Sequence, residues 1–277
     1  MNIFQALVLG IVEGLTEFLP VSSTGHQTIV AGLMGIKIDD PSVTSFIAVI
    51  QVGAILALVL YLWKDIQRLF LAWVRGLRSA DQRRDPYYRL AWLVIIGSIP
   101  IVIVGVVGRD LVKGPLRSLW VVAAGLILWS FVMLYAEYKA RQTRKDTDLT
   151  LKDSLLIGGA QALALVPGVS RSGATISAGL ILGVDRVTAA RFGYMLGIPA
   201  LAGAAVLETP DALSGGVGLW PTLVGTVVSF VVAYFTVAWM LRFVSRHTIR
   251  GFVWYRLGLG ALLIVLLSTG VLSATGV

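Results

Sequence analysis

Six stretches of this chain, at about 43–63, 90–108, 118–136, 189–207, 219–241 and 252–272, stay apolar over roughly the ~20 residues that a helix needs to cross ~30 Å of hydrocarbon. No other property limits the fold as strongly. Mean hydropathy is +0.84 and only 14% of residues are charged, where a soluble domain is nearer ~25%. The longest polar interval, 64–89, is too short to bury a core of its own. The sequence therefore predicts an all-α polytopic membrane protein, with residues 1–277 forming a single integral membrane domain. The formal charge of +8 sits in the short loops between apolar runs, as contact with lipid headgroups would require, and no nucleic-acid-binding motif accompanies it. The absence of cysteine excludes disulfides, thiolate catalysis and cysteine-bound zinc. The start "MNIFQALVLG" lacks a basic region and a clear small-residue cleavage site, so it reads as mature protein rather than as a signal peptide.

Two further apolar regions are interrupted. Residues 3–36 are split by "PVSSTGH" and residues 154–183 by "VPGVSRSGAT", which leaves arms too short to span. Non-helical backbone at membrane depth is tolerated where protein buries it or where it lines a wet cavity. Both regions are expected to be re-entrant helical hairpins, giving six transmembrane helices plus two hairpins. The loop charges agree with this count. The basic intervals 64–89 and 137–153, and the loop holding Arg242, Arg246 and Arg250, all fall on the cytoplasmic side if each hairpin returns to its side of entry. The loops near 37–42 and 208–218 are then outside, as are both termini. Arg109, Lys113 and Arg117 stand against the rule in a loop predicted outside.

A shift of 148 residues superimposes the two broken regions: Gly10 meets Gly158, Ser22 meets Ser170, Gly25 meets Gly173, and Glu13 falls on Gln161. Each half is one hairpin followed by three spans (repeat 1 about 1–136, a cytoplasmic linker about 137–153, repeat 2 about 154–277). An odd number of crossings makes the repeats inverted, a plan that places a binding site near the midplane.

The breaks carry the chemistry. Glu13 and Glu17 are one helical turn apart and share a face. Such a pair can hold a divalent cation or supply a general base, although it could also serve as a polar helix contact. Ser22, Ser23, Thr24 and His26 follow Pro20. At least one hydroxyl is expected to cap a helix, and a hydroxyl beside a base is an activated-nucleophile arrangement. "PGVSRSGAT" reads as an anion site: Arg171 offers a bidentate fork, Ser170, Ser172 and Thr175 add donors, and Gly168 and Gly173 let backbone amides approach. Arg171 could instead pair with a glutamate, and the two roles are compatible. Gln51, within a span, is placed to line the same cavity. There is no P-loop and no HExxH motif, which argues against an ATP-dependent kinase or a zinc protease.

"EGLTEFLPVSSTGH" and "PGVSRSGAT" resemble the two signature regions of the bacterial undecaprenyl-diphosphate phosphatases, the bacitracin-resistance family, and the resemblance extends over essentially the whole chain. The family's ExxxE element is matched by Glu13 and Glu17, its hydroxyl-histidine element by Ser22, Ser23, Thr24 and His26, and its PGxSRSxxT element by Pro167, Gly168, Ser170, Arg171, Ser172 and Thr175. The resemblance implies hydrolysis of undecaprenyl diphosphate to undecaprenyl phosphate and phosphate, which recycles the carrier for peptidoglycan and other wall polymers and confers bacitracin resistance. It also implies Mg²⁺ or Ca²⁺ as cofactor and a site open to the outer face of the cytoplasmic membrane. The partners would be the polyprenyl diphosphate, membrane lipids, bacitracin competing for the substrate, and a second copy in a homodimer. In that reading Arg171 neutralises phosphoryl oxygens and Glu13 and Glu17 position a cation or act as base. Ser23 attacks phosphorus or orients water, and His26 is acid/base or itself the nucleophile. The competing class is a lipid-phosphate or anion transporter on the same inverted repeat; a structural subunit of a cell-wall complex is a third, weaker reading.

Overall fold

The computed structural model describes all residues except 38–39, 109–110, 112–115, 117, 215–216 and 275–277, together with the side chains of 41, 204 and 207–214. The chain starts with α1 (Ile3–Thr16), opened by a capping box between Asn2 and Gln5. Helix α2 (Ser23–Leu33) follows the first break, where Pro20 has no amide to continue the helix. Asp40 and Pro41 start α3 (Pro41–Tyr61), and α4 (Trp63–Arg78) follows almost at once. Asp85 and Pro86 start α5 (Pro86–Val107), and Ser118 caps α6 (Leu119–Lys139). After the linker a second capping box, Thr150 with Asp153, opens α7 (Leu151–Leu163); α8 (Arg171–Ile181) follows the second break. The last three helices are α9 (Arg186–Ser214), α10 (Leu219–Val244) and α11 (Arg250–Ser268). Among the described residues the only β pairing is an isolated bridge between Arg144 and Val184. The protein is an all-α, multi-pass membrane protein. Five helices (α3, α5, α6, α10 and α11) are long and apolar enough among the described residues to cross a bilayer. The expected span 189–207 falls inside α9, part of whose side chains lie outside the description.

Two expectations about loops need correction. The helix α9 continues to Ser214, so much of the interval expected as a loop near 208–218 is helical; helical backbone does not stop where apolarity does. The interval 64–89 is not a plain loop either. Its first half is all α4, whose Leu69, Ala72 and Gly76 are buried, Gly76 lying against Tyr88 of α5. Its Trp63, Phe70 and Leu77 are exposed on one face, and Lys64, Arg68 and Arg75 occupy another. That division is the pattern of a helix lying along a membrane interface. The basic residues Arg109, Lys113 and Arg117 lie outside the described residues.

The two halves share details that composition does not require. Ser22 and Ser170, the N-caps of α2 and α8, both sit at φ +77°, and each hydroxyl accepts from the amide three residues on, Gly25 and Gly173. Each hairpin's first arm also crosses a span of the other half at a glycine pair. A Cβ added at Gly10 in α1 would lie 2.6 Å from the Gly225 carbonyl oxygen of α10, and one at Gly158 in α7 would lie 2.0 Å from that of Gly97 in α5. Such small-residue contacts let helix backbones approach where lipid supplies no hydrophobic drive between helices. The larger buried cluster draws on both halves, from Phe18 and Leu58 to Tyr194 and Val253.

Gly158→Val is therefore expected to destabilise the protein by overpacking, by about 1–3 kcal/mol. At neighbouring Gly159, where a Cβ would meet nothing within 4 Å, alanine is expected to be neutral or stabilising by up to about 1 kcal/mol. Thermal unfolding of the purified variants in detergent separates the two outcomes.

Candidate active site

The carboxylate of Glu17, just past the end of α1, is buried where the two breaks meet. Arg171 Nη2 donates to its Oε1 at 2.8 Å, and the Ser23 hydroxyl donates to its Oε2 in a short hydrogen bond. Ser23 is the first residue of α2 and Arg171 the first of α8, positions that coincide under the repeat. One half thus supplies a hydroxyl and the other a guanidinium, both at the positive end of a helix and both held by one carboxylate. The second nitrogen of Arg171, Nη1, donates to the Gly197 carbonyl of α9 at 3.2 Å. A Cβ at Gly197 would come within 2.6 Å of that nitrogen, so the missing side chain makes the room. A hydroxyl hydrogen-bonded to a carboxylate is placed to lose its proton, and guanidinium and helix termini stabilise phosphoryl oxygens.

One turn earlier, Glu13 is fully buried and its Oε2 accepts from Gln27 Nε2 at 3.1 Å, while that amide also reaches the Leu9 carbonyl at 3.0 Å. Glu13 Oε1 and Gln27 Oε1 are both buried without a hydrogen-bond partner. Among the described residues no group of three or more His, Cys, Asp or Glu side chains forms a metal cluster. Two carboxylates and an amide oxygen nevertheless form the hard, oxygen-only donor set that Mg²⁺ and Ca²⁺ prefer, and two of those oxygens lack a partner, so the corner fits such a cation.

The remaining hydroxyls mostly fix the breaks. Besides capping α2, Ser22 Oγ accepts from the Gly168 amide at 3.2 Å, which ties the first break to the second. Ser172 Oγ donates to the Leu19 carbonyl at 2.7 Å and lies 3.2 Å from Ser170 Oγ. Thr175, expected as a phosphate donor, bonds back to the Arg171 and Ser172 carbonyls of its own helix. The Gly168 backbone takes φ +94° and packs where a Cβ would fall 2.3 Å from the Val122 oxygen; Gly173 offers its amide to Ser170 rather than to open space. Thr24 is exposed, and among the described residues no hydrogen bond joins half-buried Gln51 to either break.

His26 is turned away from Ser23 and Glu17. Its Nδ1 lies 2.7 Å from the Ser22 carbonyl, which can only accept, so Nδ1 carries the proton and Nε2 accepts from the Tyr255 hydroxyl at 2.6 Å. The two rings stack at 5.6 Å. Arg256, the next residue of α11, is fully buried and has no carboxylate among its hydrogen-bond partners. Its guanidinium donates to the carbonyls of Pro20 in the first break (3.2 Å) and Gly168 in the second (2.8 Å), to Gly125 and Leu126, and to Ser130 Oγ. The sequence reading missed Gln27, Tyr255 and Arg256. Only Arg256 carried a signal, as an arginine inside an apolar run, masked by the basic loop just before it.

Arg256→Met is expected to leave the Pro20 and Gly168 carbonyls of the two breaks without their donor and to lower stability by about 2 kcal/mol or more, since each buried unpaired group costs about 1–3 kcal/mol. Thermal unfolding in detergent reads the loss, which Arg256→Lys restores only in part because one ammonium cannot reach both breaks.

Residues 6–262 match the family model described as bacitracin resistance protein BacA. An undecaprenyl-diphosphatase 1 of Streptomyces avermitilis is 56% identical over 99% of both chains. An undecaprenyl-diphosphatase 3 of Frankia casuarinae is 53% identical over 99% of this chain and 100% of its own, and an undecaprenyl-diphosphatase of a Mycobacterium species is 50% identical over the same shares. With a family match and relatives of this identity running almost end to end, the chain belongs to the bacitracin resistance protein BacA family.

Proposed function

We propose that this protein hydrolyses undecaprenyl diphosphate to undecaprenyl phosphate and inorganic phosphate, recycling the lipid carrier of cell-wall polymers. The observation that carries the reading is the Glu17 carboxylate shared by Arg171 and Ser23. With substrate present, the terminal phosphate takes the place opposite Ser23. Arg171 swings its fork from Glu17 to the phosphoryl oxygens and offsets the charge that builds up as the anhydride bond breaks. Glu17, released from the guanidinium, accepts the proton of Ser23 or of a water that Ser23 orients. The lipid phosphate is the leaving group. If Ser23 attacks, its phosphoryl ester is hydrolysed in a second step with Glu17 again as base. Glu13, Glu17 and Gln27 would hold a divalent cation, which supplies further positive charge beside the diphosphate. His26 and Tyr255 order the start of α2 and so the position of Ser23.

The setting in the membrane belongs to the same proposal. The first hairpin dips in from the outer face of a bacterial plasma membrane and the second from the cytoplasm, with the site open outward, where bacitracin competes for the same lipid. The protein has no cysteine, so single cysteines report sidedness directly. Ser79→Cys is expected to react with an impermeant maleimide only after lysis, and Ser273→Cys in intact spheroplasts; the reverse pattern inverts the topology.

Purified protein in detergent, with no gradient, is expected to release phosphate from undecaprenyl diphosphate, which a transporter would not do. Arg171→Ala and Ser23→Ala are each expected to lower kcat/KM by about 10²–10³-fold, the usual scale for removing a charge-stabilising donor or an acid/base partner. Chelation is expected to abolish turnover, and Mg²⁺ or Ca²⁺ to restore it. Trapping and mapping of a phosphoenzyme distinguishes attack by Ser23 from attack by water.

A further inference from the structure

Where does a polyprenyl tail go while its diphosphate is held at Arg171? On the flank of the second hairpin, beside the Gly97–Gly158 crossing, α5 and α7 leave an apolar concavity of about 520 Å³ between them. That volume is within the ~300–1,000 Å³ of ligand sites. Pro100, Ile103 and Val104 of α5 and Leu155, Gly159 and Leu163 of α7 line it. The groove ends at Leu163, the last residue of α7, where the chain turns into the break that carries Arg171.

The wall of α7 connects the groove to the site. Gln161, one residue before the lining Ala162, donates to the Leu196 carbonyl at 3.4 Å, and the next carbonyl, Gly197, accepts from Arg171. The repeat supplies an independent argument. Under the 148-residue shift Leu155 and Leu163 meet Leu7 and Leu15, but Gly159 meets Ile11. Aligning the crossing glycines Gly97 and Gly225 brings Pro100 onto Val228. A branched side chain is thus exchanged for glycine, and a valine for a proline inside α5, on the same flank. At Gly159 a Cβ would meet nothing within 4 Å, so the glycine serves no close packing there and its effect is to leave space. The proline removes one helical amide and bends helices at such positions.

We infer that this groove is the seat of the first isoprene units of the substrate's polyprenyl tail, an inference that rests on the phosphatase reading above. It makes the second half the tail-binding half, and it makes chain length a property read outside the polar site.

The test compares undecaprenyl diphosphate with methyl diphosphate, which carries the same diphosphate but no isoprene unit to lie in the groove, using the full-length protein in detergent. Gly159→Phe fills the space. The long-to-short ratio of kcat/KM is expected to fall about tenfold, through KM for the long substrate, while Ile11→Phe at the equivalent position of the other half leaves the ratio unchanged. An unchanged ratio in Gly159→Phe, or the same fall in Ile11→Phe, overturns the assignment. An undecaprenyl monophosphate carrying a diazirine next to its phosphate provides a readout independent of turnover. Labelling of peptides from α5 and α7 in the wild type, lost in Gly159→Phe, is expected; labelling confined to other helices, or insensitive to Gly159→Phe as bulk lipid contact would be, overturns it. If the wild type hydrolyses neither diphosphate, the phosphatase reading fails, and the labelling alone decides the groove.

Discussion

Two interrupted helices leave backbone groups at their breaks without helical partners, and the guanidinium of Arg256 serves one carbonyl in each. It binds Pro20 in one break and Gly168 in the other, so a single buried cation fixes their separation. Ser22 adds the Gly168 amide to the same junction, and Ser172 adds the Leu19 carbonyl. The charge itself is met by oriented carbonyl oxygens, a substitute for a counterion that works only where the backbone is irregular enough to point several of them inward. Everything at the site follows from that junction. With the breaks held together, the first residues of α2 and α8 face a common carboxylate.

The two halves share a construction and differ in the polar groups they bring to it. Ser22 and Ser170 keep the same strained φ and the same cap, while the next residue is a serine in one half and an arginine in the other. Glu13 in α1 corresponds to Gln161 in α7, so the acidic pair belongs to one half alone. Leu165 corresponds to Glu17, the carboxylate that organises the site. The two breaks are built alike, and single differences at equivalent backbone positions make the junction asymmetric, with the Ser23 hydroxyl on one side of the Glu17 carboxylate and the Arg171 guanidinium on the other.

Much of this was legible in the sequence because membrane insertion makes polar residues conspicuous. Six apolar runs, two interruptions and the residues Glu17, Ser23 and Arg171 follow from asking which groups are too costly to leave in hydrocarbon. Arg256 follows from the same question but escaped it, since it lies near the start of the run 252–272, which was read only for its apolarity, close behind the basic loop holding Arg242, Arg246 and Arg250. The helix α4 was hidden because charge density was read there and not period, although Trp63, Phe70 and Leu77 recur at helical spacing. Side-chain direction was out of reach. Nothing in "SRSGAT" says that Thr175 turns back on its own helix, and nothing in "TGH" says that the histidine faces Tyr255, 229 residues away. Those choices are made by tertiary packing around a residue whose local sequence allows several.

The central claim is that Glu17 and Ser23 work as one unit, and a double-mutant cycle on phosphate release from undecaprenyl diphosphate tests it most directly. If the carboxylate acts through the hydroxyl that it accepts from, Glu17→Gln combined with Ser23→Ala loses little more activity than the worse single variant. If the two losses multiply, the side chains act independently, and Glu17 is not the base for the group at Ser23.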